Sequence, residues 1–466
     1  RALTGRVLEV LQRWAADERC AGSRLVVLTR HAVLAVPDDR APDPAAAAVW
    51  GLVRAAQSEE PGRFLLADTD GDDVPWAAVG AAIGAGEPQI AVRAGAVFAA
   101  RLVRAAQTAG LPVPAHAAAW HLDIPEPGTL ENLRLSPADP EPPLGPGQVR
   151  VAVRAAGMNF RDVLYALGMY PGEVRLGGEA AGVVLETGPE VAGLVPGDRV
   201  TGVFTGAFGP VAVTDHRLLA PVPPDMTFAE AAAVPIAYAT AYYALVDLGG
   251  LRAGEAVLVH AAAGGVGTAA VQLARHLGAE VFATASPGKW DAVRAMGVAG
   301  DRLASSRDLG FEEGFAAATS GRGVDLVLDA LAGEFVDASL RLLPRGGRFL
   351  EMGKNDVRDA GEVAAAHPGV RYQAFDLWEA GPERIGEILA ELLALLRTGA
   401  LRLPPVRAFD VRQAPDAFRH VGQARHIGKV VLTVPRPLDP AGTVLVTGGT
   451  GGLGALVARH LVTAHG

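Results

Sequence analysis

The chain has 466 residues, half of them hydrophobic and a fifth charged, with a formal net charge of −9. That length suggests about three folding units, the apolar content argues against disorder, and the acidic balance makes a nucleic-acid polyanion an unsuitable main partner. No apolar run approaches the ~20 residues of a membrane span and no basic-then-apolar leader opens the chain, so no membrane partner and a cytoplasmic location are expected.

Residues 1–115 read as a partial α/β unit. Residues 7–14 (VLEVLQRW) have helical apolar spacing, and 24–29, 64–68 and 89–92 are short strand runs. Residues 42–56 form a helix with Asp43 as N-cap and Pro44 in the first turn. No glycine-rich phosphate loop joins these strands to a helix, so the segment is structural.

Residues 109–120 (AGLPVPAHAAAW) are small, Pro-containing and weakly patterned, which predicts a linker. Short strands with close turn signals follow, at 149–154 (Val149, Val151 and Val153 alternating with Arg150, Ala152 and Arg154), 178–184 and 196–203. This texture predicts a β-rich, barrel-like unit.

Residues 256–285 then switch to strand, glycine loop, helix and second strand. Gly264, Gly265 and Gly267, with Val266 between them, let the backbone approach a pyrophosphate at a helix N-terminus. An NAD-type site expects a carboxylate at the end of the second strand. Here Ser286 and Lys289 stand in that region instead, which favours NADPH; a solvated loop charge is the plainer reading of Lys289. Strands recur at 325–329, 347–352 and 428–434. A second βα phosphate turn, 445–454 (LVTGGTGGLG), opens a further unit that runs only to Gly466.

Two scarcities add weight to particular residues. Of 42 basic residues only Lys289, Lys354 and Lys429 are lysine, and a lysine can release a proton where an arginine cannot. The single cysteine, Cys20, allows no internal disulfide and no cysteine-built zinc centre, so no metal is expected.

The motifs GMNFRDVLYALGMYPG (157–172), GGEAAG (177–182), AAGGVG (262–267), EMGKND (351–356), FDLWEAG (375–381) and RHIGKV (425–430) resemble the enoylreductase of modular type I polyketide synthases, a zinc-free medium-chain dehydrogenase/reductase. The resemblance covers residues 116–435. It implies an α/β architecture: a GroES-like β-rich substrate domain (about 116–235 and 385–435) plus a Rossmann domain (about 236–384). The flanks look like a partial structural ketoreductase subdomain (1–115) and the truncated start of a catalytic ketoreductase Rossmann domain (436–466).

The reaction so implied is NADPH-dependent reduction of a trans-2-enoyl thioester borne by the phosphopantetheine of an acyl carrier protein, with ketoreductase and dehydratase domains as neighbours. Hydride goes to Cβ and a proton to Cα. Tyr170 resembles the family tyrosine linked to protonation on one face, the type giving a 2S methyl branch; Tyr165 is a neighbouring alternative. Lys354 emerges at the carboxyl edge of the sheet, with Asp376 in the corresponding position of the next strand; the resemblance makes them a catalytic pair. Asp356 is an alternative partner, and a plain salt bridge is the bland reading. Asn159 in NFRD is expected at the nicotinamide pocket, and Met352, Gly353, Gly428 and Lys429 are expected among the cofactor-binding residues. The family often has Asn-Ser where Asp329 and Ala330 stand here. A free-standing quinone or enone reductase and a non-catalytic NADPH-binding scaffold are the rival readings.

Overall fold

The computed structural model describes residues 2–36, 39, 42–71, 74–84, 86–93, 95–101, 110–114, 117, 119–139, 141–170, 175–354, 356–435 and 443–465. The chain divides into two compact units, Arg1–Gln107 and Thr108–Gly466.

The first unit runs α1 (Ala2–Ala16), β1 (Leu25–Arg30), α2 (Pro44–Glu59), β2 (Phe64–Thr69), α3 (Trp76–Gly84), β3 (Gln89–Arg93) and β4 (Ala96–Ala99). Its sheet has the order β1-β2-β3-β4, parallel except for the last pair. The Asp43 carboxylate accepts the Ala46 N–H at 2.7 Å and Pro44 sits in the first turn, which fixes the start of α2. Leu11, Val49, Trp50, Val53, Phe64 and Leu66 form its main core.

The second unit begins with β5 (Ala119–Asp123), β6 (Arg134–Ala138), β7 (Gln148–Gly157), α4 (Phe160–Ala166), β8 (Glu179–Thr187), β9 (Arg199–Val203), β10 (Val211–Asp215) and β11 (Leu219–Pro221). Helices α5 (Phe228–Ala231) and α6 (Pro235–Tyr242) lead into an alternating series. It comprises β12 (Ala256–Val259), α7 (Gly265–His276), β13 (Glu280–Ala285), α8 (Trp290–Ala295), β14 (Leu303–Ser305), α9 (Gly310–Ala318) and β15 (Leu326–Asp329). The series continues through α10 (Glu334–Arg341), β16 (Arg348–Glu351), α11 (Ala360–Ala366), β17 (Arg371–Ala374) and α12 (Gly381–Arg397). The chain then returns through β18 (Val406–Asp410), α13 (Ala414–Gly422) and β19 (Lys429–Thr433), and α14 (Gly452–His465) follows.

Two sheets position the site. A seven-stranded sheet has the order β11-β9-β8-β7-β19-β18, with β10 also on β7. A six-stranded parallel sheet has the order β14-β13-β12-β15-β16-β17, so the strand order reverses between β12 and β15, where ligands bind in such sheets. Both sheets thus agree with the α/β expectation of a β-rich lobe beside a Rossmann lobe.

Four local expectations differ from what is observed. The Val/Arg alternation expected over 149–154 forms within β7, but it does not divide buried from exposed: Val149, Val151, Ala152 and Val153 are all buried and so is Arg150. β7 pairs with β8, β10 and β19, and the Arg150 guanidinium is held by Glu186 and the Pro142 carbonyl. The described part of the predicted linker is docked: Leu111 N donates to Arg412 O at 2.7 Å and its side chain packs on the core of the β-rich lobe. The helical stretch Phe228–Leu248 is long and apolar enough to cross a membrane by length and composition, and 61% of its apolar window is buried inside the fold, as for a core helix. Finally, residues 443–447 form no strand, because a strand needs a neighbour to pair with and no described residue supplies one. The glycine turn and α14 do form there, with Gly451 N bonded to Gly448 O at 2.9 Å. Residues 436–442, the opening of the unit expected over 436–466, lie outside the described residues.

Candidate active site

The glycine loop leaves β12 at His260 and enters α7 at Gly265. Ala261 takes a left-handed φ of 50° in this loop. A Cβ on Gly267 would lie 2.3 Å from Ala261 O, and one on Gly265 would lie 2.7 Å from Lys429 Cδ. Glycine is therefore required at both positions by close approach, and the unpaired N–H groups of the first turn of α7 face the same loop. Gly264 forms a single bridge with Gly428, whose N–H donates to Ala263 O at 2.9 Å.

A cavity of ≈ 470 Å³ runs along this loop past Val266 to the ends of β13 and β14. Ser286 and Lys289 line its far end, as the sequence predicts, together with Ser306, Arg307 and His426. Lys289 is no free loop charge: Nζ donates to Ala424 O and His426 O, both at 2.7 Å. Burial, and then Arg307, lower its pKa. One of its three N–H groups remains for a ligand. Burial and the nearby Lys289, His420 and Lys429 charges pull His426 down to about 4, so it is neutral around pH 7. Sequence reasoning missed Ser306 and Arg307. Their signal is the SSR run (305–307) at the end of β14, the strand beside β13 in the sheet.

Asn159 and Lys429 both line the glycine-loop cavity, and their polar atoms are engaged within the fold. The Lys429 ammonium is buried and donates to Met158 O (2.7 Å), Asn159 Oδ1 (3.0 Å) and Glu179 Oε1 (2.6 Å). All three of its donors are occupied, so only its stem, against Gly265, remains to a ligand. Asn159 Nδ2 donates to Glu179 Oε1 at 2.9 Å, and the other oxygen of Glu179 accepts Ile236 N–H at 2.7 Å. The NFRD turn is locked from below: Asp162, buried, accepts from Asn159 N and Gly177 N.

A second cavity, of ≈ 380 Å³, opens from the same place and shares Asn159, Phe160, Val266, Leu331 and Met352 with the first. Tyr170, Lys354, Asp376 and Gly353 line it, among apolar Leu164, Ile236, Phe375 and Trp378. Lys354 Nζ lies 3.3 Å from Asp376 Oδ2 and donates to Phe375 O at 2.9 Å. Asp376 is itself oriented, accepting Trp378 N–H through Oδ1 while its own N–H donates to Glu379. Asp356 is committed elsewhere, to Arg358 and to Gly333 N. Tyr165 packs on the β-lobe core rather than lining either cavity. Of the GMYPG turn, Pro171 and Gly172 lie outside the described residues. Among the described residues no group of three or more His, Cys, Asp or Glu side chains could hold a metal ion.

Two joined cavities, one along a dinucleotide loop and one apolar with an ammonium–carboxylate pair and a phenol in its wall, suit hydride transfer to a bound organic substrate with proton delivery beside it. Sequence comparison gives matches in three segments. Residues 1–102 match the Rossmann fold domain of the polyketide synthase extender module SpnB, 145–224 the alcohol dehydrogenase GroES-like domain, and 300–432 a zinc-binding dehydrogenase family; no zinc ligand set among the described residues accompanies the last. The spectinabilin polyketide synthase system protein NorB of Streptomyces orinoci is 61% identical over 99% of this chain, which spans 21% of that protein. The crystal structure of CurK enoyl reductase is 38% identical, with a TM-score of 0.65, covering 68% of this chain and 99% of its own. A mycobacterial protein, Rv1454c, solved in complex with NADPH, is 28% identical with a TM-score of 0.62, covering 68% of this chain and all of its own.

Proposed function

The chain belongs to the enoylreductase family of modular type I polyketide synthases, and on that premise we propose that it reduces a trans-2-enoyl thioester to the saturated acyl thioester during polyketide elongation, using NADPH. The observation that carries this is the pairing of Lys354 with Asp376, beside Tyr170, in an apolar cavity continuous with the glycine-loop cleft.

The residues present fit the cofactor. Gly265 and Gly267 leave room that a Cβ would fill, and Ser286, Lys289 and Arg307 offer donors and positive charge to a 2′-phosphate at the far end. When bound, NADPH supplies the hydride for Cβ. The chain's own residues then have three tasks. Asn159, held by Glu179 and Lys429, and Met352 with Gly353 shape the junction of the two cavities. Apolar Leu164, Ile236, Phe375 and Trp378 exclude water around the acyl group. Tyr170 and Lys354 present O–H and N–H groups for protonation at Cα, with Asp376 orienting the ammonium.

The substrate arrives on an acyl carrier protein in this reading, because relatives such as NorB are polyketide synthase proteins of which this chain spans a fifth. The domain reading goes with it: an enoylreductase over 116–435, a partial structural ketoreductase subdomain over 1–115, the start of a catalytic one over 436–466, and a cytoplasmic location. The test follows NADPH oxidation by absorbance with a trans-2-methyl-2-enoyl thioester of a pantetheine analogue, against NADH and a simple quinone. Thioester-dependent loss of NADPH alone is expected. NADPH binding without thioester turnover, or faster quinone turnover, would replace this reading.

A further inference from the structure

Beneath the junction of the two cavities lie three buried titratable groups with no role in the reaction as described. His260 follows β12, Asp329 ends β15 and Glu351 ends β16; they are 0%, 0% and 1% exposed. Asp329 and Glu351 are direct partners in the parallel register, so the two carboxyls stand side by side.

Each carboxyl holds one loop. Asp329 Oδ2 accepts Leu331 N–H at 3.2 Å, and Glu351 Oε1 accepts Gly353 N–H at 2.6 Å. Met352 N–H donates to the Asp329 carbonyl at 3.1 Å, which ties the second loop to the first strand. Leu331, Met352 and Gly353 all line the cavities. One oxygen of each carboxyl, Asp329 Oδ1 and Glu351 Oε2, is left with no other hydrogen-bond partner.

Among the described residues nothing cationic offsets the pair: neither carboxyl has a lysine or arginine partner within ion-pair distance, and the nearest candidate is His260, its Nε2 3.6 Å from Asp329 Oδ1. That imidazole is neutral. Ser339 gives its one hydroxyl proton to Phe335 O (2.7 Å), so it accepts from His260 Nε2–H, and Thr284 donates to Nδ1, both at 2.8 Å. Burial also pulls the His260 pKa down. The other facing groups are committed: Asp356 to Arg358 and Gly333 N, the Tyr372 hydroxyl to Arg358 N–H, and Lys354 to Asp376. Two ionised carboxylates in so dry a place would repel each other and leave two oxygens unsatisfied; one proton between those oxygens removes both costs.

We propose that Asp329 and Glu351 share one proton and act together as a positioning pair, which holds the 330–331 and 352–353 loops in shape for the cofactor only while that proton is present. Loss of the proton to bulk base leaves two carboxylates in a space that hydrates neither, and the loops they hold must open. Burial first, and the Asp329 charge second, push Glu351 up to about 8, so the loss falls in mildly alkaline solution. The shared proton stands on the geometry of this chain alone; its effect on the cofactor rests on reading the cleft as the NADPH site.

The experiment has two arms on the intact chain. Infrared spectra across neutral to alkaline pH are expected to show a protonated carboxyl C=O band that titrates and is missing from both Glu351→Gln and Asp329→Asn. NADPH affinity, read by fluorescence without turnover, is expected to weaken about tenfold per pH unit above the titration in the wild type. In Glu351→Gln it stays flat, because the amide donates the same bond without ionising. Absence of the band from the wild type, or its persistence in both variants, would overturn the pair, even if the variants fold poorly. An alkaline loss of affinity in Glu351→Gln equal to the wild type's would overturn its positioning role. A titrating band in a chain that binds no NADPH at any pH would uphold the shared proton and remove the cofactor reading instead.

Discussion

Lys354 and Asp376 meet at 3.3 Å because β16 and β17 run parallel with Glu351 opposite Ala374, so each residue emerges just past the carboxyl end of its strand. Both are about a third exposed (32% and 31%), and an ion pair of that kind adds little to stability. The expected signature of Lys354→Ala is therefore kinetic: turnover falls about 100-fold, while NADPH affinity and melting temperature barely move. Asp376→Asn should fall in between. Steady-state rates beside a binding isotherm decide it, and a Lys354→Ala enzyme as fast as the parent would remove the pair from the mechanism.

Tyr170, half-buried, lines the apolar cavity beside Lys354 and Asp376, whereas Tyr165 is packed on the β-lobe core. Tyr170→Phe removes one O–H and leaves the ring. With a 2-methyl-2-enoyl thioester it should change the configuration at C2 of the product or slow protonation, and Tyr165→Phe should do neither. Chiral analysis of the product reads the outcome; identical rate and configuration for Tyr170→Phe would assign the proton elsewhere.

Lys289 has one N–H left after its bonds to the carbonyls of Ala424 and His426. Losing a charge-assisted contact to the 2′-phosphate costs about 1.5–3 kcal/mol, so Lys289→Ala should raise the Kd for NADPH about 10- to 100-fold. NADH, which lacks that phosphate, should bind as before. Equal weakening of both cofactors would mean that Lys289 acts only by holding the 424–426 turn.

Lys429 and Glu179 form a nearly dry ion pair, 4% and 0% exposed. Removing only the cation strands a buried carboxylate, at a cost of about 3–5 kcal/mol. Lys429→Met should therefore lower the unfolding free energy by that order, and Lys429→Met with Glu179→Gln should recover much of it. Chemical denaturation of the three variants measures the difference; a double variant no better than the single one would deny the coupling.

His426 is held neutral, its pKa down from 6.5 to about 4. The unfolded chain binds the proton first as pH falls, so the stability contributed by the neutral ring is complete above about 6.5 and drains away towards pH 4. In His426→Gln the part of the acid loss due to this ring should vanish, leaving a flatter stability curve over that window. An unchanged curve would show that other groups carry the acid response.

Much of this was readable where local rules and long-range packing agree. The run from Ala256 to Ala285 announces strand, glycine turn, helix and strand through its own periodicity, and each forms as written. Asp43 marks a helix start by the chemistry of a cap. The proximity of Lys354 and Asp376 follows from parallel strands, a rule of topology. What stays hidden depends on partners far along the chain. That Lys429 turns its ammonium away from the cleft is decided by Glu179, 250 residues earlier. Arg150 looks like a wet position until the strands around β7 are known. The mutual dependence of Asp329 and Glu351 exists only in register across two strands.

The bridge from Gly264 to Gly428 has a consequence for the order of events during synthesis. The glycine loop can form its turn as soon as α7 has emerged, yet one wall of the cleft comes from a strand made more than 150 residues afterwards. A nascent chain halted between β17 and β19 would hold a folded parallel sheet with a cofactor groove open on one side. Dinucleotide affinity should therefore rise abruptly when β19 is added rather than gradually with length, and it would serve as a timer for completion of the whole lobe.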